Sequence, residues 1–409
     1  MEKVNLLSIY IHTPFCESRC SYCDFNTYVG FSSHLKNYIH SVIEEIDIVS
    51  AKTQQNSIVH TVYFGGGTPT IMQSKQLNAL ISNLHKRYKI TQDVEVSIEA
   101  NPCNLVASYL SDLVESGFNR LSLGMQSADD EELKLLGRRH TFEDVRKSMS
   151  SARKANFQNI NLDLIFGIPL QTLETFRKSL LAAISLEPDH LSLYALSLEE
   201  HTPLAVRIRE KKIPPPNDDM AADMYEFAMD CLKGYGYQQY EISNWAREEK
   251  FQCRHNIQYW KNMDYIGFGA GAHSHYNHRR WENILTIIEY INQIHENKKI
   301  DDEYLLPATK VINDLDLVTQ IQETIMMGLR LTDEGLNILD FHKRFGMDIN
   351  DLFDHEIKTL VNQKLIERIY YKNNPCIRLT RKGRLLGNQV FLRFLDDVDI
   401  NKQARVYEK

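Results

Sequence analysis

The sequence predicts an α/β fold, a partial (β/α)6 barrel followed by a smaller C-terminal α+β domain of winged-helix-like order. Three observations predict it. Six short segments rich in Val, Ile, Leu, Phe and Tyr recur before residue 204, each followed by a longer stretch of helical character. In each of these units the polar or glycine-rich residues stand at the end of the apolar run or just after it. Beyond residue 317 the texture changes to helical runs that lead into strand, turn, strand and a final helix. Strands alternating with helices call for crossover connections and a parallel sheet.

The six expected strands are residues 7–12, 59–64, 95–100, 120–125, 159–166 and 190–196. A cysteine-rich loop follows the first and "GGGTPT" the second. Glu99 and Asn101 close the third, Gln126 and Ser127 follow the fourth, Asp163 lies late in the fifth, and Ser197 follows the sixth. In parallel α/β barrels the C-terminal strand ends and the loops after them form the reactive rim. One mouth therefore gathers all of these groups.

This pattern sets the organisation. Residues 1–204 form the barrel. Residues 205–316 form a linker and extension, opening with the proline-rich "RIREKKIPPPNDD" and carrying a helix at 220–235, the strand-like "YQQYEISNWA" and "CRHNIQYWKNMDYIGFGAGAHS". Residues 317–409 form the winged-helix-like domain, with helices at 320–329, 336–344 and 355–363. No repeat of fixed period and no low-complexity tract interrupts the chain.

At 409 residues with 43% hydrophobic and 25% charged, the composition is that of a soluble globular protein of two or three domains. A net charge of −7 argues against nucleic-acid binding through bulk positive charge, so the winged-helix-like module reads as a protein contact. The start lacks the apolar core and cleavage site of a signal peptide, and no apolar run reaches membrane-spanning length. Seven cysteines, an odd count with one tight cluster, do not make a disulfide framework. A reducing cytoplasm is the expected setting.

That cluster, "CESRCSYC", places Cys16, Cys20 and Cys23 in the loop leaving the first strand. A closed zinc site needs a fourth ligand. Cys103, Cys231, Cys253 and Cys376 are scattered singly, and His12 reaches the site only by folding back across its strand. Three thiolates suit a [4Fe–4S] cluster with one iron left unligated by protein. In "YFGGGTPT" the glycines permit close backbone approach and positive φ, and Pro69 suits a first helical position. Glu99 and Asp163 offer acceptors for ribose hydroxyls or an ammonium, and the fork of Arg138 suits a carboxylate.

Cys16-x3-Cys20-x2-Cys23, with the aromatic Tyr22 before the last cysteine, resembles the signature of the radical S-adenosylmethionine (SAM) enzymes. The resemblance implies that the open iron chelates the amino and carboxylate groups of SAM, and that an electron from the cluster cleaves the sulfonium to a 5′-deoxyadenosyl radical. It narrows along nearly the whole chain. "YIHTPFC", "GGGTP", "IEANP", "GFNRLSLGMQS", "LGRRH", "NLDLIFGIPLQT" and "HLSLYALSLE" look like the branch that holds oxygen-independent coproporphyrinogen III oxidase and its heme-chaperone relatives. The SAM contacts it implies fall on Tyr10, Tyr22, Gly66, Gly67, Thr68, Glu99, Gln126, Arg138 and Asp163, with the cluster on Cys16, Cys20 and Cys23.

Two features point to the chaperone side of the branch. The oxidase pattern has a fourth cysteine two positions after the third, where this chain has Phe25. The oxidases also carry an N-terminal extension before the first barrel strand, which this chain enters almost at once. "RHNIQYW" matches the chaperone group's H-N-x-x-Y-W motif, which is associated with heme binding. That match implies a heme-linked His255, with Tyr259 and Trp260 packing on the porphyrin face. Cys253 is an alternative iron ligand, and a hydrogen-bonded histidine beside two core aromatics fits the same residues. The small residues of "GFGAGAHS" suit either a flat macrocycle or tight packing of two domains.

The implied function is a cytoplasmic heme chaperone with a [4Fe–4S] cluster and SAM, delivering heme to a membrane-associated respiratory hemoprotein. The alternative is oxidative decarboxylation of coproporphyrinogen III. The electron donor and any homodimer stay open.

Overall fold

The computed structural model describes residues 5–53, 57–103, 105–296 and 306–395. The six expected strands all form, as β1 (Asn5–Thr13), β2 (Ser57–Gly66), β3 (Lys89–Ala100), β4 (Arg120–Gln126), β5 (Asn159–Phe166) and β6 (His190–Ala195). They pair in parallel and in chain order, with Phe64 opposite both Ile11 and Ile98, and Leu121 opposite both Ile98 and Ile160. In β4 and β5 polar and apolar residues alternate, yet nearly all are buried, so both faces of the sheet are covered.

The sheet runs further than the six expected strands. Among the described residues it has twelve, and the segment after the proline-rich stretch supplies the rest. Tyr265–Phe268 adds a parallel strand on the free edge of β1, placing Gly267 beside Tyr10. His273–Tyr276, Arg279–Asn283 and Thr309–Asp314 then continue antiparallel from it. At the opposite edge Asn244–Ala246 pairs antiparallel with β6 and carries Gln238–Gln239.

Helices with clear start signals cover the outer face. Phe142–Lys154 begins with a capping box between Thr141 and Asp144, has Glu143 and Asp144 in its first turn, and ends on Arg153 and Lys154. It buries Val145, Met149 and Ala152, the spacing that puts one apolar stripe on the sheet. Leu173–Ser185 repeats the device with Thr172 and Thr175.

The C-terminal part has its own core, built on Ile321, Ile325, Phe341, Phe353, Ile357, Leu379 and Phe394. A three-stranded sheet of Leu336–Asn337, Asn374–Leu379 and Ile366–Tyr371 packs with helices Leu317–Gly328, Ile338–Phe345, Ile349–Asn362, Arg381–Leu385 and Gly387–Leu392. It joins the barrel beside β6, where Ile242 donates its N–H to the Arg330 carbonyl and Thr332 to that of Tyr240. Among the described residues no helix is long and apolar enough to cross a membrane.

Candidate functional site

Cys16, Cys20 and Cys23 are half-buried free thiols in the loop that follows β1. The loop is pinned at Ser21, whose N–H and hydroxyl donate to the Leu136 and Leu135 carbonyls at 2.9 and 2.7 Å and whose carbonyl accepts from Leu204 N at 2.8 Å. Burial raises the Cys16 and Cys23 thiols, and the neighbouring thiols raise both further. The three therefore sit within electrostatic reach of one another, and Cys16 and Cys23 hold their protons more tightly until a soft metal displaces them. Among the described residues no three His, Cys, Asp or Glu side chains converge on a single ion. An all-thiol set spread wider than one ion fits an iron–sulfur cluster better than zinc.

A chain of side chains ties two of these cysteines together. Thr68 Oγ1 lies 3.7 Å from Cys16 Sγ and accepts from Asn101 Nδ2 at 2.9 Å. The Asn101 Oδ1 accepts from Arg138 Nη2 at 2.6 Å, and Arg138 Nη1 points at Cys20 Sγ at 3.4 Å. The same guanidinium donates to the Gly124 carbonyl at 2.8 Å. Arg138 is thus a fork held over the thiol loop by β3 and β4. Tyr22 packs beside it against Leu136, Ile165 and Ile168, and burial pushes its phenol up.

The glycine loop does its work by contact. A side-chain carbon on Gly67 would stand 2.6 Å from the Phe15 carbonyl and 2.9 Å from Cys16 Sγ. Gly67 and Thr68 also donate backbone hydrogen bonds to Thr13 and Phe15, which fastens the two loops together. Gly66 adopts φ +111°, where an added carbon would strike the His12 ring. Gln126 holds φ +64° at the end of β4, a left-handed conformation rare outside glycine, and among the described residues its buried Oε1 has no hydrogen-bond partner. An unpartnered acceptor at the barrel mouth is a group waiting for a ligand.

Glu99 accepts from the Tyr63 hydroxyl at 2.8 Å and from Gly66 N at 3.1 Å. Burial and the Asp163 carboxylate push it up to about 7, against the pull of those donors. Asp163 is raised by burial as well, although Asn161 and Ser122 both donate to it. Below them the buried Arg120 supplies the counter-charge.

A cavity of about 440 Å³ opens beside this floor. Tyr10, Gly66 and Glu99 form one wall, Asp24, Phe25 and Asn26 of the cysteine loop another, and Tyr259, Tyr265 and His273 a third. Gln126, Arg138 and Asp163 do not line it. Phe25, two residues past the last cysteine, is 66% exposed.

The "HNIQYW" residues are split by the helix they form, Arg254–Trp260. Tyr259 reaches the cavity. His255 lies beneath it, almost fully buried and stacked on Tyr63, with Nδ1 2.9 Å from Thr61 Oγ1 and Nε2 3.0 Å from the Tyr259 hydroxyl. Burial keeps that imidazole neutral, down at about 3. Trp260 lies under the Arg330 guanidinium at 4.5 Å, on the side of the C-terminal domain. Cys253 is fully buried with its thiol pushed up to about 12 by burial, and it points at Glu95. The glycines of "GFGAGAHS" take the packing role: an added carbon on Gly271 would strike Asn26 Nδ2, which itself donates to the Ala270 and Leu285 carbonyls.

Asn101 and Tyr63 join the site without having been singled out as ligands, and His12, weighed only as a fourth metal ligand, bonds the Tyr10 hydroxyl and the Asn26 carbonyl instead. Asn101 showed only its place at a strand end. Tyr63 and His12 face the mouth through strand alternation, a signal that any tyrosine or histidine in these strands would give.

The sequence model of the Radical SAM superfamily matches residues 10–183, and that of the HemN C-terminal domain matches residues 315–386. "Heme chaperone HemW" of Bacillus subtilis is 37% identical over 392 residues, covering 96% of this chain and 100% of that protein. The Lactococcus lactis protein of the same name is 36% identical, covering 96% and 98%. The chain belongs to the HemW family. Among solved structures it resembles coproporphyrinogen III oxidase (HemN) from Escherichia coli, with a TM-score of 0.80, 25% identity and coverage of 95% of this chain and 90% of that one. Membership in the HemW family thus rests on near-full-length similarity, while the fold is shared with the oxidase. The Radical SAM match falls on the barrel strands β1 to β5 and the HemN C-terminal match on the C-terminal core described above.

Proposed function

We propose that this HemW-family chain is a heme chaperone, as its relatives are named, and that it holds heme at the cavity beside the cysteine loop before passing it to a hemoprotein. The observation that carries this reading is the exposed Phe25 on an aromatic-lined cavity, where an apolar macrocycle finds surface to cover. In this reading Cys16, Cys20 and Cys23 hold a [4Fe–4S] cluster. Tyr10, Tyr22, Gly66, Gly67, Thr68, Glu99, Gln126, Arg138 and Asp163 hold SAM. Together the bound groups supply one-electron chemistry that no side chain offers. The chain's own residues position and insulate: Arg138 and Asn101 fix the thiol loop, Glu99 presents an acceptor that can take or shed a proton near neutral pH, and His255 holds Tyr259 against the cavity. The setting is the cytoplasm, the recipient a membrane-associated respiratory hemoprotein, and nucleic acid plays no part.

Hemin titrated into the anaerobically purified chain should give a saturable Soret band. A featureless, non-saturating rise would contradict the reading. The oxidase remains the second reading, favoured by the TM-score of 0.80 over nearly the whole chain. It predicts loss of CO2 from coproporphyrinogen III in the presence of SAM and reductant.

A further inference from the structure

The cavity has one wall that the SAM residues do not account for. Tyr259, Tyr265, His273 and Leu285 line it together with Phe25, so apolar and aromatic side chains come with one exposed imidazole, His273, while the other lining imidazole, His12, is buried. Heme binding needs an axial donor as well as a flat apolar surface.

Three histidines stand at or next to this cavity, and their hydrogen bonds separate them. His12 has Nδ1 on the Tyr10 hydroxyl at 3.0 Å and Nε2 on the Asn26 carbonyl at 2.9 Å. His255 has both nitrogens engaged, on Thr61 and Tyr259, and lies beneath the lining. His273 lines the cavity with an exposed side chain, and among the described residues nothing hydrogen-bonds its ring. Its strand fixes it in place: His273 pairs with Glu282, and its carbonyl packs so tightly on Gly267 that an added carbon there would stand 2.3 Å away. His275, two residues on along the same face, is buried behind Tyr265 and does not line the cavity.

We infer that His273 is the axial ligand of this chain to heme iron, with Phe25 and Leu285 packing on the macrocycle and His255 acting only as the support of Tyr259. This rests on the heme-chaperone reading. The bond forms when a neutral imidazole nitrogen donates its lone pair to ferric heme and displaces bound water. A ligand on the open rim suits cargo that must leave again, because release exposes one imidazole and breaks no buried network. His255 would first have to break its bond to Tyr259 and reach through the lining.

The test is hemin titration of the full, cluster-loaded chain and of His273→Ala and His255→Ala under anaerobic conditions. Thermal melting of each variant reports folding. His273→Ala should melt like the parent, bind hemin at least about tenfold more weakly, and show a displaced Soret band that added imidazole restores. His255→Ala should melt lower, yet its folded fraction should keep the parental Soret position. Parental affinity and Soret position in His273→Ala would overturn the assignment, as would their loss in a stably folded His255→Ala. Absence of saturable binding by the parent would instead overturn the heme reading itself.

Discussion

Glu45 offers a sharp test of how the cavity wall is built. Its carboxylate is 2% exposed and accepts from Gly269 N at 2.8 Å, Asn283 Nδ2 at 2.7 Å and the Tyr290 hydroxyl at 2.6 Å. It thereby braces the "GFGAGAHS" backbone from behind. Burial pushes it up to about 7 from an ordinary 4.5, and the three donors only partly oppose this. A carboxyl group whose folded value exceeds its unfolded one stabilises the fold below about 4.5, and that stabilisation is lost as pH rises through 7. At about 1.36 kcal/mol per unit, the loss between pH 5 and pH 8 is about 2 to 3 kcal/mol. Glu45→Gln has no such dependence but sets an amide N–H against donors, at a cost of about 1–3 kcal/mol. In denaturant unfolding of the metal-free chain, the variant should be clearly less stable than the parent at pH 5 and close to it or above it at pH 8. A stability difference that stays the same at both pH values would refute the assignment of a buried, protonated Glu45.

Three further outcomes follow from the same geometry. Arg138→Lys keeps the charge but cannot reach Asn101, Gly124 and Cys20 together, so metal-free stability should fall by about 1–3 kcal/mol and iron–sulfur absorbance after reconstitution should drop; parental values of both would contradict the linked-cysteine arrangement. Gly67→Ala drives a carbon into the Phe15 carbonyl and Cys16 Sγ, and should cost about 1–3 kcal/mol with less iron bound per chain. Normal iron content would show that the two loops are not fastened as described. His255→Ala strips partners from Thr61 and Tyr259 and should cost about 2–3 kcal/mol at pH 7. Because His255 sits near 3 when folded and 6.5 otherwise, its neutral form stabilises above 6.5 and that contribution fades as pH falls. The gap between parent and variant should therefore narrow toward pH 4, and a constant gap would argue against a neutral buried imidazole.

What the sequence made legible was local chemistry with fixed spacing. The six barrel strands, the cysteine loop and the glycine loop each carry their own signal: an apolar run, a ligand spacing, a demand for close backbone approach. Gln238–Gln239 and Asn244–Ala246 fall within the strand-like "YQQYEISNWA", whereas Tyr265–Phe268 and His273–Tyr276 were hidden because they are short and share their residues with a glycine-rich turn, so only pairing of the first with β1 and of the second with the first reveals them. The motif "HNIQYW" was read as one unit. A short helix sends Tyr259 into the cavity, His255 beneath it and Trp260 to the far side, and spacing alone does not say which face meets the ligand. Asn101 needed the partner geometry of Arg138 and Thr68 to stand out. Phe25 was informative in sequence as a residue that is not cysteine. In the fold it gains a second meaning, as an exposed aromatic on the cavity rim.

The most direct test of the chaperone account is transfer. The cluster-loaded chain, charged with hemin and separated from excess, is mixed anaerobically with a recipient apo-hemoprotein, and the Soret band is followed in time. The account predicts that the chain's own band decays while the recipient's holo spectrum grows, faster than from free hemin. Heme that stays on the chain, or reaches the recipient no faster than free hemin does, would contradict it.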